Sequence, residues 1–186
     1  MAKVEVLTTA SVVSLFSPKS LYLVGYGWLL GMSIWVTFFG GVIAYKALPR
    51  HQFGALQHKT FPIYFVISIL LSAGLTGVWT LSHPNVQKYI QDPFVADVAQ
   101  AYTLASVCLA QSLNYFVVGP MTSKTMFQRQ RLEKSEGKNY NEPGVSEEMK
   151  ALNRRFGSLH GISSLANLWA VIGLIFHGLW IGNTGI

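Results

Sequence analysis

The chain has 186 residues, 51% of them apolar and only 12% charged, with a net charge of +6 and a mean hydropathy of +0.35. About a quarter of the residues in a typical soluble domain are charged, so half the usual solvating charge is missing. This balance excludes a disordered chain, a coiled coil and an ordinary cytosolic enzyme, and a single cysteine, Cys108, excludes an internal disulfide framework and any multi-cysteine zinc site.

In chain order, the first twenty residues lack the basic start and small-residue cleavage site of a signal peptide. Glu5 comes early, and Thr8, Thr9, Ser11 and Ser14 interrupt the apolar run, which predicts an uncleaved, interfacial segment. Ser17-Pro18 then predicts a helix start, because proline at the first helical position lacks only an amide hydrogen that would be unpaired anyway. Four apolar stretches follow, at residues 21–44, 61–81, 94–118 and 161–181. Each is near the roughly 20 residues that cross a bilayer as helix. None alternates with period two, so a membrane barrel is not expected. The predicted fold is all-α: one domain over residues 1–186, four transmembrane helices in a bundle, and a cytosolic helical hairpin between the third and fourth.

Between spans one and two, Pro49 predicts the start of a short helix carrying His51 and His58 on one face. Two turns separate them, about 10–11 Å along the axis, too far to share one metal ion without a bend. No glutamate-bearing zinc motif accompanies them, so neither a metal nor a cofactor is predicted. His51 or His58 could still meet His160, which lies near the same membrane face. Residues 119–160 are predicted to form the hairpin. Its first helix, 121–136, continues span three with a bend at Pro120, and residues 137–144 form a mobile tip of turn formers. Ser146 is the expected cap of the second helix, with Glu147 and Glu148 in its first turn. Met149, Leu152, Phe156 and Leu159 form an apolar stripe along it. The Gly27/Gly31 pair and the Ser68/Ser72/Thr76/Thr80 series predict close helix packing.

Lysine and arginine divide 11 to 3 between the two sides: loops one and three hold eleven, the N-terminal tail and loop two hold Lys3, Lys19 and Lys88. This predicts cytoplasmic basic loops and termini on the other side. Topology and anionic headgroups account for the basic balance, so the expected partner is the lipid bilayer and not nucleic acid.

Polar groups within spans are costly and therefore informative. Span three carries Asp97, Gln100, Cys108, Gln111 and Asn114 within about a third of its circumference. Span four carries Ser163, Asn167 and His177, preceded by His160. Two such stripes are expected to face each other, as an interhelical hydrogen-bond network or as a polar path through Gln100, Cys108, Gln111, Asn114, Asn167 and His177.

The segment at residues 48–65 (LPRHQFGALQHKTFPIYF) and the segment at 160–168 (HGISSLANL) resemble the transmembrane protein 205-like family, as do Trp35-Val36-Thr37-Phe38 and Pro120-Met121-Thr122. The matching positions include Arg50, His51, Phe53, Gly54, Gln57, Lys59, Pro62 and Tyr64, then His160, Gly161, Ser163, Ser164 and Asn167. The resemblance implies a small four-span eukaryotic membrane protein, loosely associated with platinum-drug tolerance and endomembrane traffic. It supplies no roles for these residues and no activity. Three functions stay open. One is transport or export of a small solute or soft metal, with Cys108 and Met32 as soft ligands and with oligomerisation, since four helices make a thin wall. The second is a scaffold binding membrane-protein partners or anionic lipid through the basic hairpin and its apolar stripe. The third is an intramembrane enzyme using His51 and His160, for which no nucleophile or carboxylate pair is present. The organelle is unspecified: endomembranes, plasma membrane and mitochondrial outer membrane all remain open.

Overall fold

The computed structural model describes residues 6–186; Lys3, Val4 and Glu5 of the sequence reading lie outside the described residues. A short exposed helix, α1 (Thr9–Ser14), is closed by a capping box between Thr8 and Ser11. Ser17 caps α2, accepting the Ser20 amide at 3.2 Å, and Pro18 opens it as expected. The four long helices are α2 (Pro18–Ala47), α3 (Arg50–Ser82), α5 (Ala96–Glu136) and α6 (Glu147–Thr184), all long and apolar enough to cross a membrane. The small helix α4 (Pro84–Lys88) lies between α3 and α5. Ser146 caps α6 through the Met149 amide at 3.1 Å, with Glu147 and Glu148 in the first turn where the helix dipole favours them. The fold is thus all-α with four candidate spans.

The helices run far beyond the predicted spans. The loop between spans one and two shrinks to Leu48-Pro49, and no separate short helix forms there, because α3 starts at Arg50 and runs unbroken through Pro62. Leu48 is extended, the conformation a residue before proline prefers, and this breaks α2 from α3. At about 1.5 Å per residue, α3 is about 50 Å long and α5 about 60 Å, well over the roughly 30 Å of hydrocarbon.

Two stretches widen to π-helix: Trp35–Gly40 inside α2 and Asn114–Val118 inside α5. The second explains how α5 tolerates Pro120. Proline cannot donate to the carbonyl four residues back and collides with it, and a wide turn just before the ring shifts the hydrogen-bond register. The Gly119 amide instead reaches back five residues to the Asn114 carbonyl. A Cβ on Gly119 would stand 2.7 Å from that oxygen, so the wide turn needs glycine here.

Helix α5 packs against α3 on one side and α6 on the other, and α2 closes the bundle by packing against both α3 and α6. Tyr22, Tyr26, Leu29, Leu75, Trp79, Leu104, Val107, Ala170 and Leu174 make one continuous core. The outer side of α2 shows Trp28, Trp35, Phe38 and Phe39 to the surroundings. Gly27 and Gly31 lie on that exposed side with no neighbour within 4 Å, so they are not the packing pair their spacing predicts. The close approaches are at Gly173, against Val107 and Thr103, and at Gly178, against Tyr26. In the Ser/Thr series, Ser68 and Ser72 are buried, and the hydroxyls of Ser72, Thr76 and Thr80 each donate to the carbonyl one turn back.

The hairpin also differs from its sequence reading. Met149 and Leu159 are buried and Leu152 and Phe156 half-buried, so the apolar stripe is largely spent on packing α6 against α5. The tip at 137–144 is held rather than free. Gly137 takes a left-handed conformation (φ 65°) to end α5, and Tyr140 is then pinned from both sides. Its amide donates to Glu133 at 2.8 Å and its carbonyl accepts from Asn153 at 2.8 Å.

Candidate functional site

Each long helix contributes at least one polar or aromatic hydrogen-bonding side chain to each of two levels in the core. The pairs are Tyr22 and Ser33 on α2, Trp79 and Ser68 on α3, Gln100 and Gln111 on α5, and His177 and Asn167 on α6. Three pairs are 11 residues apart and the fourth 10, close to three helical turns and about 16 Å of rise. The predicted seam is therefore two polar tiers, one distal and one proximal to the hairpin. Leu29, Leu75, Leu104, Val107, Ala170 and Leu174 fill the level between them, none more than 5% exposed.

The distal tier is tight. His177 is fully buried, with Nε2 at 2.5 Å from the Tyr22 hydroxyl and Nδ1 at 2.8 Å from Gln100 Oε1. Since the amide oxygen only accepts, Nδ1 carries the hydrogen and Nε2 accepts from Tyr22. Tyr26 donates to the Leu174 carbonyl at 2.9 Å, and Trp79 Nε1 donates to the Asp97 carbonyl at 2.9 Å. The rings of Tyr22, Tyr26 and Trp79 stand edge-to-face around the imidazole at 5.0–5.9 Å between centroids. Asp97 itself lies at the partly exposed rim and accepts from Asn85. This is a hydrogen-bonded hub that fixes four helices at one end.

The proximal tier is loose. Tyr64 donates to Ser33 at 3.4 Å, Gln111 Nε2 to the Tyr64 hydroxyl at 3.5 Å, and Asn114 Nδ2 to Asn167 Oδ1 at 3.3 Å and the Ser163 carbonyl at 3.4 Å. Ordinary N–H···O bonds cluster near 2.9–3.0 Å. Gln111 Oε1, Asn114 Oδ1, Ser68 Oγ and Thr37 Oγ1 are buried without a partner. In the distal tier only Gln100 Nε2 is left so.

Cys108 faces away from α6, its thiol 3.9 Å from the Ile69 carbonyl of α3, so it lies beside the seam. Among the described residues no cluster of three or more His, Cys, Asp or Glu side chains is placed to hold a metal ion. His58 bonds Ser123 at 3.0 Å and meets the Phe127 ring, His160 stacks on Phe156, and exposed His51 lines a shallow surface depression of about 190 Å³ with Lys134 and Lys138. The three histidines thus have separate neighbours. Of the other positions matched by the resemblance, Gly54 lets α3 approach Met126 of α5, and a Cβ there would meet its sulfur at 2.9 Å. Phe53 packs edge-on against Tyr45; Gln57 is half-buried; Lys59, Pro62, Gly161 and Ser164 are exposed.

Arg50 belongs to a cluster that sequence reasoning missed. It forms an ion pair with Glu133 and its guanidinium lies 4.5 Å from the Tyr140 ring centre. Arg129, buried on the same helix as Glu133, lies 4.2 Å from that ring and 4.6 Å from Phe156. Burial lowers the Arg129 pKa from its ordinary value, with Arg50 adding to the shift and Tyr140 and Glu133 opposing it. The signal was four-residue spacing of Arg129 and Glu133 on one face, which reads equally well as a solvated pair.

Residues 24–131, more than half of the chain, match the family described as domain of unknown function DUF4149. The chain is also similar to transmembrane protein 205 of Danio rerio, 25% identical over 182 residues, with 89% of this chain and 94% of that protein covered. It is similar too to xanthocillin biosynthesis cluster protein D of Aspergillus fumigatus, 24% identical over 163 residues, covering 88% of each. No solved structure matches it. With four apolar helices and this relationship across nearly its full length, the chain belongs to the DUF4149 family and is a transmembrane protein 205-like, multi-pass integral membrane protein.

Proposed function

We propose that the protein moves a small polar solute across its membrane along the seam between α5 and α6, with the apolar level between the tiers as the closed gate. The observation that carries this is the set of buried, unpartnered polar atoms in the proximal tier. Hydrocarbon cannot satisfy such atoms, and a purely structural network would use them, as the distal hub nearly does. Apolar constrictions close pores by excluding water, so two polar levels separated by leucine and valine suit a path at rest. The soft-metal version gains no support, since Cys108 lies beside the seam. We place the basic hairpin in the cytoplasm, from the 11-to-3 charge split.

Reconstituted vesicles test this with urea, glycerol and sodium as probes, followed by light scattering or tracer uptake. Wild-type protein should pass at least one probe faster than protein-free vesicles, and Gln111→Leu with Asn114→Leu should remove that excess. No excess flux, or flux unchanged in the double variant, would sink the transport reading.

One observation favours the scaffold alternative in its lipid form. Lys124, Arg131, Lys134, Lys138, Lys150, Arg154 and Arg155 all remain exposed on the hairpin, while its apolar stripe is packed away. On that reading, anionic lipid copurifies with the protein and is lost when Lys134 and Lys138 become alanine, as native mass spectrometry would detect.

A further inference from the structure

We infer that the proximal tier is a binding site for a small uncharged molecule that offers N–H donors, of the primary-amide or urea kind, a reading that rests on the seam being a solute path. Three features converge on it. The first is a pair of acceptors left over. Ser33, Tyr64, Ser68, Gln111, Asn114 and Asn167 meet at this level, joined by bonds from Tyr64 to Ser33, Gln111 to Tyr64, and Asn114 to Asn167 and the Ser163 carbonyl. Gln111 Oε1 and Asn114 Oδ1 stay buried with no donor, and an amide oxygen can only accept. A ligand N–H supplies what these two oxygens lack.

The second feature is looseness. The four bonds of this tier measure 3.3–3.5 Å, against 2.5–2.9 Å for those of the distal hub in the same core. Polar groups that had closed on one another would be shorter, so small displacements here open room without breaking a strong bond. The third is the backbone. Both π-helical stretches flank this tier: Thr37 of the first carries one unpartnered oxygen, and Asn114, the start of the second, carries another. Such wide turns are irregular insertions into helices and occur frequently at functional sites.

The charge of the ligand follows from what the seam lacks. No Asp, Glu, Lys or Arg occurs within residues 20–45, 61–87, 98–123 or 156–186. A charged solute would leave water with no counter-charge to meet it, which costs several kcal/mol for each ion. A neutral molecule offering N–H groups avoids that cost and supplies the missing donors.

Nitrogen-15-labelled protein in lipid nanodiscs tests the site through the side-chain amide signals of Gln111, Asn114 and Asn167. The probes are formamide, with two N–H donors, and N,N-dimethylformamide, with the same carbonyl and none. Formamide should shift these signals saturably while leaving the Gln100 amide in place, and dimethylformamide should not. Ser68→Ala and Thr37→Val each delete one unpartnered oxygen without enlarging a side chain, and should weaken formamide binding about threefold to tenfold, the worth of one hydrogen bond. Equal shifts with both probes, or no saturable shift because water alone fills the tier, would overturn the assignment. Vesicle flux without this donor selectivity would remove the assignment and keep the transport reading; saturable binding without flux would do the reverse.

Discussion

Gly178→Ala is expected to destabilise the bundle by about 2–4 kcal/mol, the sum of an overpacked core and a lost hydrogen bond. The added Cβ would stand 1.9 Å from the Tyr26 hydroxyl oxygen and 2.9 Å from its ring carbon. That hydroxyl cannot swing clear freely. It donates to the Leu174 carbonyl at 2.9 Å, and its ring stands against His177, which holds Tyr22 and Gln100. Two other glycines calibrate the experiment. Gly54→Ala makes its one tight approach to the sulfur of Met126, the flexible end of a long side chain, and should cost about 1 kcal/mol or less. Gly161→Ala meets nothing within 4 Å on an exposed helix face, so it should be neutral or gain up to about 1 kcal/mol of helix propensity. Unfolding of the three variants in one detergent should rank them in that order. A Gly178→Ala variant as stable as wild type would mean that α2 does not pack against α6 at Tyr26.

The four spans and their caps were legible because hydrocarbon thickness and helix capping are local rules. Ser17 and Ser146 cap their helices as their sequence neighbourhoods require. The polar residues of α5 and α6 were also visible, since Gln100, Gln111, Asn114, Asn167 and His177 stand out in apolar runs. Their division into tiers was not visible, although spacings of 10 and 11 residues were on the page. A helical wheel projects along the axis and loses depth, and the apolar level between the tiers lies only in depth. The partners from α2 and α3 were hidden for another reason. Tyr22, Ser33, Tyr64 and Trp79 are ordinary in a membrane sequence, and only packing shows that their polar atoms point inward.

The π-helical stretches could not be read from composition, yet they coincide with two stretches of the family resemblance. Trp35-Val36-Thr37-Phe38 lies within the first, and Pro120-Met121-Thr122 directly follows the second and Gly119. Their physical content is then backbone geometry beside the proximal tier. The tip at 137–144 departs from its sequence reading for the opposite reason: its composition is that of a free turn, but Tyr140 within it is a ring that two arginines share. Long-range contacts of this kind leave no periodic signature.

Glu133→Ala is expected to release the tip and the hairpin end at a cost of about 2–3 kcal/mol, below the 3–5 kcal/mol of a fully buried pair because Arg50 is 32% exposed. Glu133 uses both oxygens, one on Arg50 and one on the Tyr140 amide. Without it, two guanidiniums flank one ring with no carboxylate between them, and the ring's cation–π attraction of about 1–2 kcal/mol cannot offset their repulsion. Glu133→Gln keeps the acceptor for Tyr140 and loses the charge, so it should fall between wild type and Glu133→Ala. Arg50→Lys keeps the charge and loses the planar fork, and should also be intermediate. Amide hydrogen exchange over residues 137–145 reads the tip, and the same experiment over residues 100–111 reads the spans. Exchange should rise at the tip by about thirtyfold to a hundred-and-fiftyfold, the equivalent of that free energy, and stay unchanged in the spans. The double variant Arg50→Ala with Glu133→Ala should cost less than the sum of the two single changes, because each single change strands a charge that the other removes. Additive effects would mean that Arg50, at a position matched by the family resemblance, acts elsewhere than on Glu133.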